Sequence, residues 1–487
     1  MFNQRRRMMH SSKNNLFLNS INKSHRLSMK KFKSPLLFSF LITSYFTMAQ
    51  PIPGTLNWYN GVGNGMSTEL AYKKILKKKK AVPVIVAVID SGVDIEHEDL
   101  QGKIWTNTKE IPGNKKDDDG NGYVDDVHGW NFLGNANGKN QDKARLEKAR
   151  IVKKYGAKYE DIDPETLAYD PIHEMFVNAE SSLNEDISQF EPYRDMIGKG
   201  MFDKETEDYI TDQLDYNLNI NYDDRSLIGD NPDDFNDKYY GNGDVEGPDA
   251  LHGTHVAGII GALRGNKKGG DGVADAVLIM SVRTVPNGDE HDKDVANAIR
   301  YAVDNGAKVI NMSFGKSFSP YHDKVQEAIE YAVSKDVLMI HAAGNDASDI
   351  DYTDNFPKKP AFNFIDTNNR KLFLNIGSNT KETGEELVSS FSNFGAMEVD
   401  VFAPGSEIYN SVPQSDYKNL QGTSMASPMV AGVAALLKSR FPQASMIEIS
   451  DAITRTVTKH EQLTDKSITG GIVNVYNAAL YLQNLYK

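Results

Sequence analysis

From Val82 onward the chain alternates short, unbroken apolar runs with stretches whose apolar residues recur at helical spacing. Val84-Ile85-Val86-Ala87-Val88-Ile89 is the first such run. Residues 276–280, 309–312, 337–340 and 372–376 continue the series. A half-exposed strand would alternate apolar and polar positions, so these runs predict strands buried on both faces, as in a parallel sheet. Between them, Val295, Ala298, Ile299, Ala302 and Val303 form one apolar helix face; Val325, Ala328, Ile329, Ala332 and Val333 form another. Asn305-Gly306 closes the first. This alternation predicts an α/β fold: a doubly wound, mostly parallel sheet flanked by helices, with right-handed crossovers.

One stretch breaks the rhythm. Residues 135–245 are charged and rich in Tyr and Asp, with helix-like pieces at Lys143 to Tyr155 and Lys204 to Asn217. They predict a large, mainly helical insertion within a domain spanning 81–487. Residues 50–80 would be a short N-terminal extension. With 487 residues, 39% of them hydrophobic, a sizeable core can be buried.

The first 49 residues change the picture of location. They hold nine Lys or Arg and no acid, then the apolar run Leu36 to Phe46 and the small-residue exit Thr47-Met48-Ala49. That order predicts a secretory signal peptide over 1–49, hence an exported protein, periplasmic or extracellular. The run is too short for the roughly 20 residues of a spanning helix, so no stable membrane span is expected after its removal. The remainder carries 45 basic against 67 acidic residues, a surface that repels phosphates and suits cations, which excludes nucleic acid as a main partner. There is no cysteine, so no disulfide staples the exported fold.

Three segments carry chemistry. Gly422-Thr423-Ser424-Met425-Ala426-Ser427-Pro428 precedes an apolar helical stripe, which puts Ser424 at a tight turn entering a helix. Pro428 is expected in the first turn of that helix. A serine hydroxyl is a weak nucleophile and needs a base. His252, in His252-Gly253-Thr254-His255, also opens a predicted helix and is the candidate. A histidine base needs an orienting carboxylate, and Asp90 ends the first buried strand, where α/β folds place their sites.

In this order and context the three segments resemble the signature segments of the subtilisin-like serine proteases, the subtilases. The resemblance spans roughly residues 80–480, interrupted by the insertion. It implies a serine endopeptidase acting on protein or peptide substrates: Ser424 attacks the carbonyl, His252 is base then acid, Asp90 orients it, and an acyl-enzyme intermediate forms. Ala342-Ala343-Gly344-Asn345 matches a fourth segment and makes Asn345 the side-chain donor of the oxyanion hole. Ser313, Phe314 and Gly315 resemble the strand that pairs with the substrate backbone and walls the S1 pocket, with Ala342, Ala343 and Gly344 as the other wall. His255, one turn past His252, reads as structural.

Asp117-Asp118-Asp119-Gly120-Asn121-Gly122-Tyr123-Val124-Asp125-Asp126 has the first half of a calcium-loop pattern. Asp117, Asp119, Asn121, Tyr123 through its carbonyl, and Asp125 are the candidate ligands of a structural calcium ion. The usual bidentate Glu is absent, since His128 stands at that place. Two features depart from the family. Only about thirty residues lie between the expected cleavage site and the first strand, too few for the usual propeptide, and 162 residues separate Asp90 from His252.

Overall fold

A computed structural model describes residues 56–159, 170–360 and 368–487. The expected signal peptide at 1–49 lies outside them. The elements are, in chain order, α1 (Thr68–Lys74), β1 (Val84–Asp90), β2 (Gly129–Asn131), α2 (Glu147–Tyr159), α3 (Pro171–Phe190) and α4 (Lys204–Asp212). Then come α5 (Leu251–Gly261), β3 (Val277–Arg283), α6 (Asp292–Asp304), β4 (Val309–Met312), α7 (His322–Ser334), β5 (Leu338–Ala342) and β6 (Phe373–Asn379). The chain continues with β7 (Val401–Pro404), β8 (Ile408–Val412), β9 (Asp416–Leu420), α8 (Thr423–Arg440) and α9 (Met446–Arg455). It ends with β10 (Thr458–Lys459), β11 (Gly471–Ile472) and α10 (Val475–Leu485).

The main sheet has nine strands in the order β10-β11-β7-β6-β5-β4-β1-β3-β2. Every pair is parallel except β10 with β11. Successive side chains leave a strand on opposite faces, and each face has its own core. Val84, Val86 and Val88 of β1 pack with α5 and α8, while Ala87 and Ile89 pack with α6 and α7. That two-sided burial is why the strands read as unbroken apolar runs.

Residues 56–80 belong to this core. Tyr59, Met66, Ala71 and Leu76 are buried in the layer containing α5 and α8. The Tyr59 hydroxyl donates to the Asp271 carbonyl at 3.0 Å. The insertion is helical over only part of its length. α2 starts four residues later than expected, and α4 runs on through a wider turn at Gln213–Asn217. The long α3 escaped the sequence reading; Pro171 at its first position and Asp170 as its cap start it. Ala149, Leu183, Phe190, Ile210, Leu214 and Leu218 give the insertion a small core of its own. Residues 218–250 are irregular, and Ile228 and Tyr240 anchor them to the main core.

Candidate active site

The carboxyl ends of β1, β3, β4 and β5 and the start of α8 surround a cleft of about 500 Å³, lined by Asp90, His252, Ser313, Phe314, Asn345 and Ser424 among others. Asp90 is the last residue of β1 and is almost fully buried. Its Oδ1 accepts the Ser91 amide at 2.8 Å and lies 2.7 Å from His252 Nδ1. Such closeness depends on Gly253. A Cβ there would lie 2.1 Å from the Gly92 carbonyl oxygen and 3.2 Å from the Asp90 Cβ, so any other residue would push α5 away from the strand end.

Two effects compete on the His252 ring. Burial lowers its pKa, and the charge and hydrogen bond of Asp90 raise it; the net shift is upward from 6.5. His255 differs. Its Nε2 lies 3.0 Å from the Ile408 carbonyl and 3.2 Å from that of Lys418, tying α5 to the β8–β9 hairpin. Full burial drives its pKa down to about 3, so it stays neutral, a structural residue.

Ser424 is the second residue of α8, entered through Gly422 at φ 149°, a conformation open to glycine. Pro428 sits inside the helix, in the second turn rather than the first. Proline has no N–H to give the carbonyl four residues back, which is that of Ser424. The Ser313 hydroxyl donates to it at 2.9 Å instead. Asn311 and Ser427 support that serine, through Asn311 Nδ2 to Ser313 Oγ at 2.9 Å and Ser427 Oγ to Asn311 Oδ1 at 2.8 Å. Sequence reasoning missed this pair; its one signal was two polar residues inside an otherwise apolar strand and helix. The Ser424 hydroxyl donates to the Ser313 carbonyl at 3.1 Å, and among the described residues no hydrogen bond joins it to His252.

Asn345 is exposed at the rim, yet its orientation is set. Its Oδ1 accepts from the Thr423 amide at 2.9 Å and the Thr423 hydroxyl at 3.0 Å, which leaves the NH₂ end as the free donor. The amide of Ser424 is among the first four of α8 and has no acceptor within the helix. Both donors are therefore available beside the serine.

The two expected substrate walls fare unequally. Phe314 lines the cleft and packs partly on the layer beneath it, its carbonyl 2.9 Å from His341 Nε2. Ala342 and Gly344 also line the cleft. Ala343 does not; it is fully buried among Leu387, Val399 and Phe402, and its carbonyl accepts from Asn355 and Asn393. Chain alternation turns it inward between two lining residues.

The acidic loop gathers two of the expected ligands with one that was not expected. Asp117 and Asp119 meet Glu110, their carboxylate oxygens within 4.8 Å of one another. Glu110 Oε1 accepts the amides of Asp118 and Asp119, while its Oε2 is buried without a partner. Asp125 does not join them; its two oxygens accept the amides of Gly113 and Lys115. Asn121 Oδ1 accepts the Tyr123 amide, and the Tyr123 ring is buried against Trp130 and Tyr301. Asp126 turns inward to Tyr301, and burial lifts its pKa to about 6. An orphaned buried oxygen beside two carboxylates fits a hard cation such as calcium. Lys109, mostly exposed and 3.8 Å from Asp119, is a weak competitor. Glu110 went unnoticed because it precedes the loop pattern by seven residues.

A parallel, doubly wound sheet whose polar groups collect at its carboxyl edge defines an α/β enzyme by class. Residues 83–471 match the subtilase family. Thermitase from Thermoactinomyces vulgaris is 39% identical over 231 residues, covering 47% of this chain and 75% of its own. Subtilisin DY from Bacillus licheniformis is 33% identical over 235 residues, covering 47% and 77%. Among solved structures, proteases from Pseudoalteromonas arctica align with a TM-score of 0.52 at 21% identity, covering 88% of this chain and 97% of theirs, a likeness of fold. The chain belongs to the subtilase family, and it is a serine-type endopeptidase.

Proposed function

We propose that this protein is an exported endopeptidase in which Asp90, His252 and Ser424 form the hydrolytic triad. The 2.7 Å contact between Asp90 and His252, in one cleft with Ser424, carries the reading. Asp90 holds the imidazole with its proton on Nδ1, so Nε2 faces the cleft as the base. The Ser424 hydroxyl reaches that base by rotating about its Cα–Cβ bond away from the Ser313 carbonyl. An extended substrate pairing with residues 313–315 favours the rotation, because its own amide competes for that carbonyl. Ser424 then attacks, His252 takes its proton and passes it to the leaving amine, and water hydrolyses the acyl-enzyme by the same route. Labelling with a serine-directed phosphonofluoridate tests the assignment. Adduct on Ser424 supports it, whereas no adduct there favours a subtilase fold retained as a peptide-binding module.

Asn345 and the Ser424 amide are the proposed oxyanion donors. Asn345→Leu is expected to lower kcat about 10²–10³-fold with KM little changed, since the donor acts chiefly on charge that develops in the transition state. A loss confined to KM would remove Asn345 from this role.

Calcium is proposed at Glu110, Asp117 and Asp119. At free calcium about a hundred times Kd it would stabilise the fold by about 2.7 kcal/mol. A chelator should therefore lower the wild-type Tm and have much less effect on Glu110→Gln. An unchanged wild-type Tm would dismiss the site. Export rests on residues 1–49, and N-terminal sequencing of the protein recovered outside the cytoplasm should start at Gln50; a start within 1–49 contradicts cleavage there.

A further inference from the structure

Beyond β3 the chain runs from Thr284 to Glu290 along one rim of the cleft. The amides of Thr284 and Val285 donate to the Asp90 carbonyl at 2.9 and 3.2 Å. Because β3 and β5 lie on opposite sides of β1 and β4 in the sheet, this rim faces the one formed by Ala342 to Asn345. It reads a different part of the substrate.

The insertion clamps the rim in place. Arg150 of α2 donates to the Asp289 carbonyl at 2.9 Å and to that of Glu290 at 3.0 Å. From the other side Lys316, just past the substrate strand, donates to the Glu290 carbonyl at 2.8 Å and to Glu147 at 2.7 Å. The Asp289 carboxylate accepts the Glu147 amide at 2.7 Å. Every main-chain acceptor of Asp289 and Glu290 is thus used.

One oxygen of the Glu290 side chain is not. Glu290 lines the cleft at 2% exposure, and its Oε1 is buried with no hydrogen-bond partner. A carboxyl oxygen closed off in this way lacks the donors that would offset its lost hydration. Asp142, Asp249 and Asp346 line the same cleft. One fixed guanidinium lines it, that of Arg283, and its donors are taken by Ser91, Asn131 and Gln141. The side chains lining the cleft are net acidic even with Arg283 charged, while Lys316 and Arg150, which hold the Glu290 carbonyl, do not line it, and the unfilled oxygen is an acceptor.

We propose that Glu290, with Asp142 lining the same cleft, forms a subsite for a basic substrate side chain, Arg or Lys. That side chain belongs to a residue N-terminal to the one entering the pocket between Phe314 and Gly344. Burial raises the Glu290 carboxyl to about 7, and a bound guanidinium would favour its ionised form. The insertion thereby sets specificity without covering the cleft, by holding this acid at the rim through Arg150 and Glu147. The proposal rests on Ser424 being the nucleophile.

The test uses fluorogenic peptides identical except at one of the three positions preceding P1, which carries Arg, its uncharged isostere citrulline, or Leu. At one position wild-type kcat/KM should be at least about tenfold higher for Arg than for citrulline, the scale of a charge-assisted hydrogen bond. Glu290→Gln should bring that ratio close to one, and Asp142→Asn, at the more open end of the rim, should lower it. No Arg preference at any position in the wild-type enzyme overturns the subsite, and that comparison needs no variant to fold. A preference that survives in Glu290→Gln also overturns it. Phosphonofluoridate labelling at Ser424 together with a flat peptide profile rejects the subsite alone; absence of both labelling and cleavage rejects the nucleophile and the subsite with it.

Discussion

Ser424→Ala should abolish peptide hydrolysis, lowering kcat by about 10⁴–10⁶ while the far-ultraviolet circular dichroism and Tm stay near wild type. The substitution deletes one oxygen. In the resting site that oxygen makes a single hydrogen bond, to the Ser313 carbonyl, worth about 1 kcal/mol net. The Ser424 carbonyl, which Pro428 leaves without a helix donor, keeps its bond from the Ser313 hydroxyl. Stability and activity should therefore separate by several orders of magnitude. Residual turnover within tenfold of wild type would show that another nucleophile does the work.

Asp90→Asn should cost about 10⁴ in kcat, from a different cause. The carboxylate accepts the Nδ1 proton; an amide in its place can turn its NH₂ toward Nδ1. The imidazole then carries its proton on Nε2, where it cannot take one from serine. The pH profile adds a second readout. The base must be neutral, and Asp90 raises the pKa of His252, so wild-type activity should rise with pH and have its midpoint above 6.5. Without that negative charge the cationic ring loses its stabiliser, and the midpoint of the residual activity should move toward acid. A variant that keeps the wild-type midpoint would mean that Asp90 does not set the base.

Much of this site could be read along the chain because each part sits where local structure changes. Asp90 ends an apolar run, Ser424 opens a helix behind a glycine, and Asn345 follows a strand. These are contiguous patterns, and the structure puts their residues in one cleft. Glu110 and Glu290 left no such trace. One lies outside the loop pattern it serves, and the other is an ordinary acid in Asp289-Glu290-His291. Asp125 shows the converse. Its spacing suits a calcium loop, but its carboxylate is held at the amides of Gly113 and Lys115, outside the cluster of Glu110, Asp117 and Asp119.

The amino-acid order alone determined the doubly wound sheet, its two buried faces and the placing of Asp90, His252 and Ser424 where local structure changes. Periodicity and turn chemistry act between near neighbours, and a sequence records them directly. Which acids share a pocket, which oxygen is left without a donor, and how an insertion of about a hundred residues grips the rim of the cleft depended on tertiary contact. Those outcomes arise between segments as far apart as Arg150 and Glu290, where hydrogen-bond geometry and burial decide and spacing along the chain carries no signal.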